Sequence, residues 1–251
     1  MKNAREFKNW RQKRANSMHK DAVYNVKSLE WLNEAVKQEY SYLFEWFGVP
    51  TIQFPSDLLL LQEAIFTAKP TKVIEVGIAR GGTTLFLASI MSLLDKSSNI
   101  SVIGVDISIS KHTSEAIYES QFSSKIKLLE GDSTDILTTS KVAELLKPED
   151  RVLAILDSNH SSEHVLKEIE IYSQMVTVDS FLIVMDTAIE YISADDIPLA
   201  RPWSRGNSPQ TAIDIFFEKN PDVLIIDEDL NSKSFPGASR GGFLRKISPR
   251  I

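Results

Sequence analysis

The chain has 251 residues, of which 43% are hydrophobic and 25% charged, and its formal net charge is −6. These values are ordinary for one sizeable globular domain, and the acidic balance gives no reason to expect a nucleic-acid partner. The absence of cysteine excludes disulfides, thiolate metal sites and cysteine nucleophiles. No apolar run approaches the length of a membrane span, and the first residues lack the apolar core of a signal peptide. We therefore expect a soluble, cytoplasmic protein.

The first 50 residues differ in pattern from the rest of the chain. Residues 1–20 carry seven lysines and arginines against one acid, Glu6, which is typical of a solvated and partly helical tail. Residues 21–47 have apolar side chains at helical spacing and predict one or two amphipathic helices, packed on the main domain or on a second subunit. We therefore predict an N-terminal helical extension over residues 1–50 and expect a homo-oligomer. We expect most aromatic residues at the end of this extension to pack against other parts of the protein. Lining a substrate pocket is the alternative.

From residue 51 onward, predicted strands and helices alternate. Ser56 or Asp57 is expected to cap a first helix that runs from Leu58 to Ala68. The expected strands are 72–77, 101–106, 125–130, 151–157, 180–186, 222–226 and 242–247. Strands separated by helices of this size are typical of right-handed βαβ units. The sequence therefore predicts an α/β domain over residues 51–251, with a Rossmann-like, doubly wound, mostly parallel seven-stranded sheet and an antiparallel edge.

The end of the first of these strands has the composition of a nucleotide-binding turn. Val73, Ile74 and Val76 predict a buried strand, and a glycine-containing turn precedes the next helix. Glycine accepts a positive φ and lets a ligand approach the backbone, while the helix directs free N–H groups at the turn. The G-x-G-x-x-G dinucleotide pattern and the lysine of a P-loop are both missing.

An acidic residue ahead of such a turn favours a ligand with hydroxyls and an amino acid end, such as S-adenosylmethionine (SAM). The candidate cofactor-binding residues are Glu75, Gly77, Ala79 and Gly81. A tight turn that binds no ligand is the alternative.

Two further strand ends support a nucleoside-like ligand. The second strand ends in Asp106, where doubly wound folds place the acid that binds ribose hydroxyls. The third strand is followed by Asp132 and Ser133, which suit hydrogen bonds to an adenine edge. Three strand ends therefore converge on one expected ligand.

The fourth and fifth strands deliver the residues that we expect to do chemistry. Asp157 and Asp186 follow these strands and should lie beside the cofactor, so Asp157 is also a candidate cofactor contact. Two carboxylates without cysteine or clustered histidine suit a hard cation such as Mg²⁺. His160 follows Asp157 by three residues and is a candidate general base. The structural alternatives are that Asp157 only caps the following helix and that Asp186 only bonds loop amides. We expect His164, one helical turn after His160, to be a surface or packing residue rather than a second base.

Residues 187–208 form a long connection after the fifth strand. Connections of this length inside a compact domain are usually functional or disordered. We expect a substrate lid here, and an ordinary surface loop is the alternative.

Together these motifs resemble the cephalosporin hydroxylase and rhamnosyl O-methyltransferase family. The resemblance covers most of the chain from about residue 46 and includes WFGVPTIQFPSD, IEVGIARGGTTLFLAS, VIGVDISI, LEGDS, MDT and SRGGFLRKI. Its most specific stretch is ILDSNHSSEHVLKEIEIYSQMV.

The resemblance implies a SAM-dependent methyltransferase core. In it, Glu75, Gly77 and Asp106 would hold the cofactor, and Asp157 and Asp186 would face a divalent metal. The related macrocin-type sugar O-methyltransferases have a D-x-x-H arrangement with a histidine base, which corresponds here to Asp157 and His160.

One position departs from the family pattern. Family members usually have adjacent acids, Glu-Asp, at the end of the fifth strand, whereas this chain has Met185 and Asp186. Methionine cannot replace a carboxylate on Mg²⁺. Either the metal binds more weakly, with Glu190 or substrate oxygens compensating, or His160 works without a metal.

The expected function is methyl transfer from SAM to a hydroxyl of a sugar or glycosylated natural product, with His160 as the base and Mg²⁺ as a possible cofactor. Two other hypotheses stay open. A metal-dependent oxygenase would use His160, His164 and Asp157 as an iron site, but it leaves the nucleoside-binding strand ends unexplained. A non-catalytic partner protein with a methyltransferase fold is favoured by Met185 and opposed by the retained acids and histidine.

Overall fold

The computed structural model describes residues 3–94, 99–192 and 201–248. The helices in these ranges are α1 (Ala4–His19), α2 (Ala22–Lys37), α3 (Pro55–Ala68), α4 (Gly82–Leu94), α5 (Lys111–Tyr118), α6 (Ile136–Glu144), α7 (Ser162–Met175), α8 (Pro209–Lys219) and α9 (Glu228–Asn231). The strands are β1 (Glu45–Trp46), β2 (Val49–Pro50), β3 (Lys72–Val76), β4 (Ser101–Asp106), β5 (Ile126–Glu130), β6 (Val152–Leu156), β7 (Phe181–Val184), β8 (Leu224–Ile226) and β9 (Phe243–Lys246). Short 3₁₀ turns lie at Tyr40–Leu43, Ser123–Lys125 and Thr187–Glu190.

The main sheet has the order β5-β4-β3-β6-β7-β9-β8. The first five strands of this order run parallel, and β9 runs antiparallel to both β7 and β8. The predicted Rossmann-like, doubly wound, mostly parallel seven-stranded sheet is therefore confirmed, together with its antiparallel edge. The strand order reverses between β3 and β6, which is the place where open α/β sheets bind ligands.

Helices cover both faces of this sheet, so every residue of β3 and β6 is buried. One core cluster packs strand side chains against α3 and α4, and a second packs them against α7 and α8. Successive side chains of β3 point to opposite faces of the sheet. Val73 therefore packs in the first cluster, and Ile74 and Val76 pack in the second.

The amphipathic helix predicted within residues 21–47 is α2, but it ends at Lys37, and Glu45–Trp46 belong to a two-stranded hairpin instead. Residues 1–20 were predicted to be only partly helical, yet α1 is a complete helix with a capping box. The Asn3 side chain accepts from the Glu6 backbone N–H at 2.9 Å, and the Glu6 carboxylate accepts from the Asn3 N–H at 3.0 Å. None of the helices in the described ranges is both long and apolar enough to cross a membrane.

The helix α3 begins earlier than predicted. Pro55 is its first residue and Phe54 its N-cap, so the prediction of Ser56 or Asp57 as the cap is wrong. Proline is favoured at the first helical position because the N–H that it lacks is not needed there. Asp57 is buried instead, and its Oδ2 accepts from the backbone N–H of Ala238 at 2.9 Å. This contact joins distant parts of the chain, so no local pattern indicates it.

Two leucines on α3 give a direct measure of core packing. Leu61 is fully buried, whereas Leu59 is 67% exposed. We expect Leu61→Ala to lower the free energy of unfolding by about 2–5 kcal/mol, because it removes buried methyl groups and leaves a cavity. The matched control Leu59→Ala should change it by less than about 0.5 kcal/mol. Urea unfolding followed by circular dichroism measures both, and equal losses would contradict the assigned packing of α3.

Candidate active site

The turn after β3 lies at the reversal in strand order. β3 and β6 pair in register, with Val76 opposite Leu156, so Gly77 meets the backbone of Asp157. Gly77 has a φ of +86°, and a Cβ atom there would collide with the Asp157 carbonyl oxygen. Glycine is therefore required at this position by its own conformation and by the neighbouring strand.

Asp106, the last residue of β4, holds this turn in place. Its Oδ2 accepts from the backbone N–H of Ile78 at 3.0 Å and of Ala79 at 3.1 Å. Its Oδ1 accepts from the Ser108 N–H at 3.1 Å. Ala79 has a φ of +46°, a left-handed conformation that non-glycine residues rarely adopt. The two hydrogen bonds to Asp106 help to stabilise it.

Glu75 lies beneath the turn rather than on its surface. It is buried in β3, and its Oε2 accepts from the Thr84 hydroxyl on α4 at 2.5 Å. Burial raises the pKa of Glu75 to about 8, the Thr84 hydrogen bond lowers it, and the nearby charge of Asp106 raises it. This carboxyl group therefore links the strand to the helix that follows the turn.

Asp157, His160 and Asp186 come together above the carboxyl ends of β6 and β7. Each offers a ligand atom, and these atoms all lie within 4.8 Å of one another. The imidazole Nε2 of His160 lies 3.2 Å from Asp186 Oδ2, and the edge of Trp203 packs on the imidazole with ring centroids 4.9 Å apart. The cluster can hold a divalent cation or move a proton between its members.

The carboxyl group of Asp157 is surrounded by other acids. Burial raises its pKa well above the usual range, and the charges of Asp186, Glu75 and Asp57 raise it further. The amide of Gln53 opposes this effect by donating to Asp157 Oδ2 at 2.6 Å. A bound cation would favour the charged form of this group.

A cavity of about 370 Å³ joins the turn to the cluster of Asp157, His160 and Asp186. One wall is formed by Gly77, Ala79 and Asp157, and another by residues of the N-terminal segment, among them Tyr42. Arg201 and Trp203 complete the lining, with the guanidinium carbon of Arg201 5.3 Å from the Trp203 ring centroid. The cavity is thus large enough for an organic ligand next to the cluster, and its lining offers both apolar and polar side chains to such a ligand.

The sequence of residues 38–247 matches the rhamnosyl O-methyltransferase/CmcI family. The chain belongs to this family. A rhamnosyl O-methyltransferase of Mycobacterium leprae (strain TN) is 30% identical over 203 residues, which are 80% of this chain and 82% of the relative. The rhamnosyl O-methyltransferase of Mycobacterium tuberculosis (strain ATCC 25618 / H37Rv) is 26% identical over 223 residues, covering 84% of this chain and 85% of the relative. The family resemblance predicted from the motifs is confirmed.

Solved structures of low sequence identity share the fold. An apo structure of CmcI matches with a TM-score of 0.60 at 18% identity, over 82% of this chain and 77% of that chain. A CmcI structure with Mg and SAM matches with a TM-score of 0.56 at 19% identity, over 82% and 78%. An O-methyltransferase from Bacillus cereus in complex with SAH has a TM-score of 0.51 at 12% identity, over 88% and 91%.

The family departure at residue 185 has a packing explanation. Met185 is buried in the core cluster with α3 and α4, and its sulfur accepts from the Ser239 hydroxyl at 3.4 Å. The candidate compensating acid, Glu190, is engaged elsewhere. Its carboxylate accepts from the hydroxyls of Ser208 at 2.7 Å and Thr211 at 2.9 Å, as well as from the Gly206 N–H. Glu190 therefore fixes the chain after residue 205, and Asp157 and Asp186 are the two carboxylates of the cluster.

Five of the predicted cofactor residues lie off the cavity walls: Glu75 and Asp106, which are described above, and Gly81, Asp132 and Ser133. Asp132 accepts from the backbone N–H of Thr134 at 2.7 Å, which lowers the pKa of Asp132. Ser133 donates to the buried carboxylate of Glu168 at 2.5 Å. Gly81 has a φ of +87°, and a Cβ atom there would press against the Ile117 side chain of α5. Their assignment as cofactor contacts stays a prediction.

His164 contacts residues away from the cluster of His160 and the two aspartates, as expected for a residue that is not a second base. Its Nε2 lies 3.1 Å from both Glu168 Oε1 and Ser133 Oγ. The Glu168 hydrogen bond is the main reason that the pKa of His164 is raised. His164 therefore belongs to a cluster under α7 and is separate from His160 and its acidic partners.

Sequence reasoning missed Gln53 and Thr84 as contacts of the acids. The signal for Thr84 was present, since it lies nine residues after Glu75, where the helix passes back over the strand. Gln53 had no local signal, because its contact with Asp157 spans 104 positions. Among the aromatic residues of the N-terminal segment, Tyr42 lines the cavity, whereas Trp46 packs on Phe86 and donates to Ser89 at 3.0 Å.

Substituting Gly77 tests the contact between the β3 turn and β6. Gly48→Ala is the matched control, because Gly48 has a similar φ of +80° but open space at the Cβ position. The control should lose about 1–2 kcal/mol of unfolding free energy from its backbone conformation alone. Gly77→Ala should lose a further 1–3 kcal/mol or so, because the new methyl group must displace Asp157. Chemical denaturation measures both variants, and equal losses would contradict the close contact.

Glu75→Gln tests the buried acid through the pH dependence of stability. Burial raises the pKa of Glu75 from 4.5 to about 8, so the folded protein keeps a proton that the unfolded chain releases between these values. The stabilisation by this group is therefore complete at low pH and is lost as pH rises through that window.

Because one pKa unit corresponds to ~1.4 kcal/mol, the wild type should lose on the order of a few kcal/mol across the window, and Glu75→Gln should lose less. Urea unfolding at several pH values measures the two slopes. Glu144→Gln, at an exposed position of α6, should keep the wild-type slope. An unchanged slope in Glu75→Gln would show that the acid is not buried as described.

Proposed function

We propose that this protein is a SAM-dependent O-methyltransferase that acts on a hydroxyl of a sugar or glycosylated natural product. The observation that carries the proposal is the cluster of Asp157, His160 and Asp186 next to the glycine turn. The family and its rhamnosyl O-methyltransferase members support both the reaction and the acceptor class.

SAM would occupy the cavity at the reversal in strand order. Gly77 and Ala79 form its wall there, and Asp106 sits at the end of the adjacent strand. The sulfonium of SAM is cationic, and the nearby acids Asp157 and Asp186 provide a favourable field for it. We assign Gly81, Asp132 and Ser133 to the same ligand on their positions in the turn and after β5, whereas Glu75, which lies in β3 beneath the turn, would support the turn through its contact with Thr84.

The donor set also fits a divalent metal. Asp157 and Asp186 would hold Mg²⁺, which prefers oxygen ligands and keeps several waters or substrate oxygens in its coordination shell. When bound, the metal would stabilise negative charge on the acceptor oxygen. Because imidazole is a poorer ligand for Mg²⁺ than carboxylate, we assign His160 to proton transfer.

His160 would act as the general base. Its Nε2–H donates to Asp186 in the tautomer that fits the 3.2 Å contact, which leaves Nδ1 to accept the proton of the acceptor hydroxyl. The oxygen then forms its bond to the methyl carbon as the bond between carbon and sulfur breaks. The products are a methyl ether, SAH and a protonated imidazole, whose charge Asp186 stabilises.

Residues 187–208 would cover the acceptor. Arg201 and Trp203 already line the cavity beside His160, and exclusion of water by such a segment favours transfer to the acceptor. Residues 193–200 of this predicted lid lie outside the described residues. The division of the chain at residue 50, the homo-oligomer and the cytoplasmic location also stay predictions.

The two competing hypotheses receive less support from the geometry. An iron oxygenase site would need His164 beside His160, but His164 contacts Glu168 and Ser133. A non-catalytic partner protein would have no need for the retained contact between His160 and Asp186.

The test is isothermal titration of the protein with SAM and with its demethylated product SAH, each in the presence of magnesium and in the presence of a chelator. A methyl-transfer assay on rhamnosides accompanies it. We expect both compounds to bind. His160→Gln should keep SAH binding and lower kcat by about 10²–10⁴, because a positioned base contributes that much.

The matched control is His112→Gln, at an exposed position of α5, and it should behave as the wild type. Failure of SAM and SAH to bind in both conditions would overturn the cofactor assignment. Full activity of His160→Gln would overturn the assigned base.

A further inference from the structure

A short segment ahead of α3 reaches into the candidate active site. β1 and β2 form a hairpin that is fastened to the start of α4. The Thr83 hydroxyl donates to the Thr51 carbonyl at 2.9 Å, and Gly82 has no side chain where the Pro50 carbonyl approaches. The segment is therefore held against the helix that follows the cofactor turn.

The backbone just after this anchor is strained. Ile52 has a φ of +52°, in the left-handed region that is unfavourable for a β-branched residue. Such conformations persist only where the surroundings impose them, and they are concentrated at functional sites. Thr51 is fixed on one side by Thr83 and by its own N–H bond to the Phe44 carbonyl at 3.0 Å. On the other side Phe54 is buried and is the N-cap of α3.

This arrangement turns the side chain of Gln53 inward. Gln53 is only 5% exposed, lines the cavity, and donates from Nε2 to Asp157 Oδ2 at 2.6 Å. Among the described residues it is the side chain that donates a hydrogen bond to Asp157. The acids near that carboxylate, Asp186, Glu75 and Asp57, disfavour its charged form.

We propose that Gln53 is a positioning residue that fixes the orientation of the Asp157 carboxylate for cation binding and catalysis. The inference rests on the proposed function, since it names the residue that sets the geometry of the same site. One Asp157 oxygen is held by the amide, which leaves the other oxygen for a cation or the cofactor. The hydrogen bond from Thr83 to Thr51 connects the same segment to the start of α4. The position of Asp157 is therefore linked to this helix through Gln53.

Gln53→Leu tests this role, because leucine has a similar size but cannot donate a hydrogen bond. The first readout is Mn²⁺ binding by electron paramagnetic resonance, with Mn²⁺ as the probe for the divalent site. The second is the effect on kcat and on KM for SAM. A second variant, Gln53→Asn, keeps the amide on a shorter side chain and should recover part of the function.

We expect Gln53→Leu to weaken Mn²⁺ binding about tenfold or more and to lower kcat by a similar factor, because a hydrogen bond to a charged group is lost. The KM for SAM and the affinity for SAH should change less than about twofold, since the turn after β3 is untouched. The control Gln210→Leu removes an amide-to-carboxylate bond of 2.8 Å to Asp214 on α8. It should leave all these values at the wild-type level.

Mn²⁺ binding and kcat at wild-type level in Gln53→Leu would overturn the proposal. A uniform loss of SAH affinity, kcat and folding would do the same, because it would indicate a structural role alone. If the wild type itself neither binds Mn²⁺ nor transfers a methyl group, the proposed function fails, and the crystal structure of Gln53→Leu then decides the positioning role. An Asp157 side chain that keeps its rotamer would reject that role, and one that rotates would support it.

Discussion

The parallel pairing of β3 with β6 is the contact on which the candidate site depends. The Asp157 N–H donates to the Val76 carbonyl at 2.8 Å across this pairing, and on the other side of β3 the Gly77 N–H donates to the Val105 carbonyl of β4 at 2.8 Å. The position of the acid relative to the glycine turn is therefore set by backbone hydrogen bonds, which do not depend on side-chain identity. Structures with identities as low as 12% share the fold, and a backbone-defined geometry explains how it tolerates that divergence.

The acids around this pairing form a site that favours a cation. Burial raises the pKa of Asp57 to about 7 and of Glu75 to about 8, and it raises that of Asp157 well above the usual range. Charges of neighbouring acids raise all three further. Buried charges are costly unless they are paired. A bound sulfonium or divalent metal would therefore lower the free-energy cost of holding negative charge on these acids. The same field would disfavour an anionic ligand in the part of the cavity next to the cluster.

Parts of the chain outside the sheet form the walls of the cavity next to these acids. Tyr42 from the N-terminal segment and Trp203 from the chain after β7 supply walls of the cavity, so the acceptor would meet residues far apart in sequence. Met185 illustrates the opposite case, because it stands at the end of β7 yet packs into the core. The family thus indicates the reaction class, and the choice of acceptor would depend on these walls.

The sequence alone determined the alternation of strands and helices, the glycine turn, and the acids and histidine at the strand ends, because these features follow from periodicity and short-range turn chemistry. It also placed Asp157, His160 and Asp186 at one edge of the sheet, since parallel strands bring their carboxyl ends together. Only the tertiary structure decided that Asp57 is buried against Ala238 instead of capping α3, and that Gln53 holds Asp157. These contacts join residues more than 100 positions apart, and the packing that selects them leaves no periodic signal in the chain.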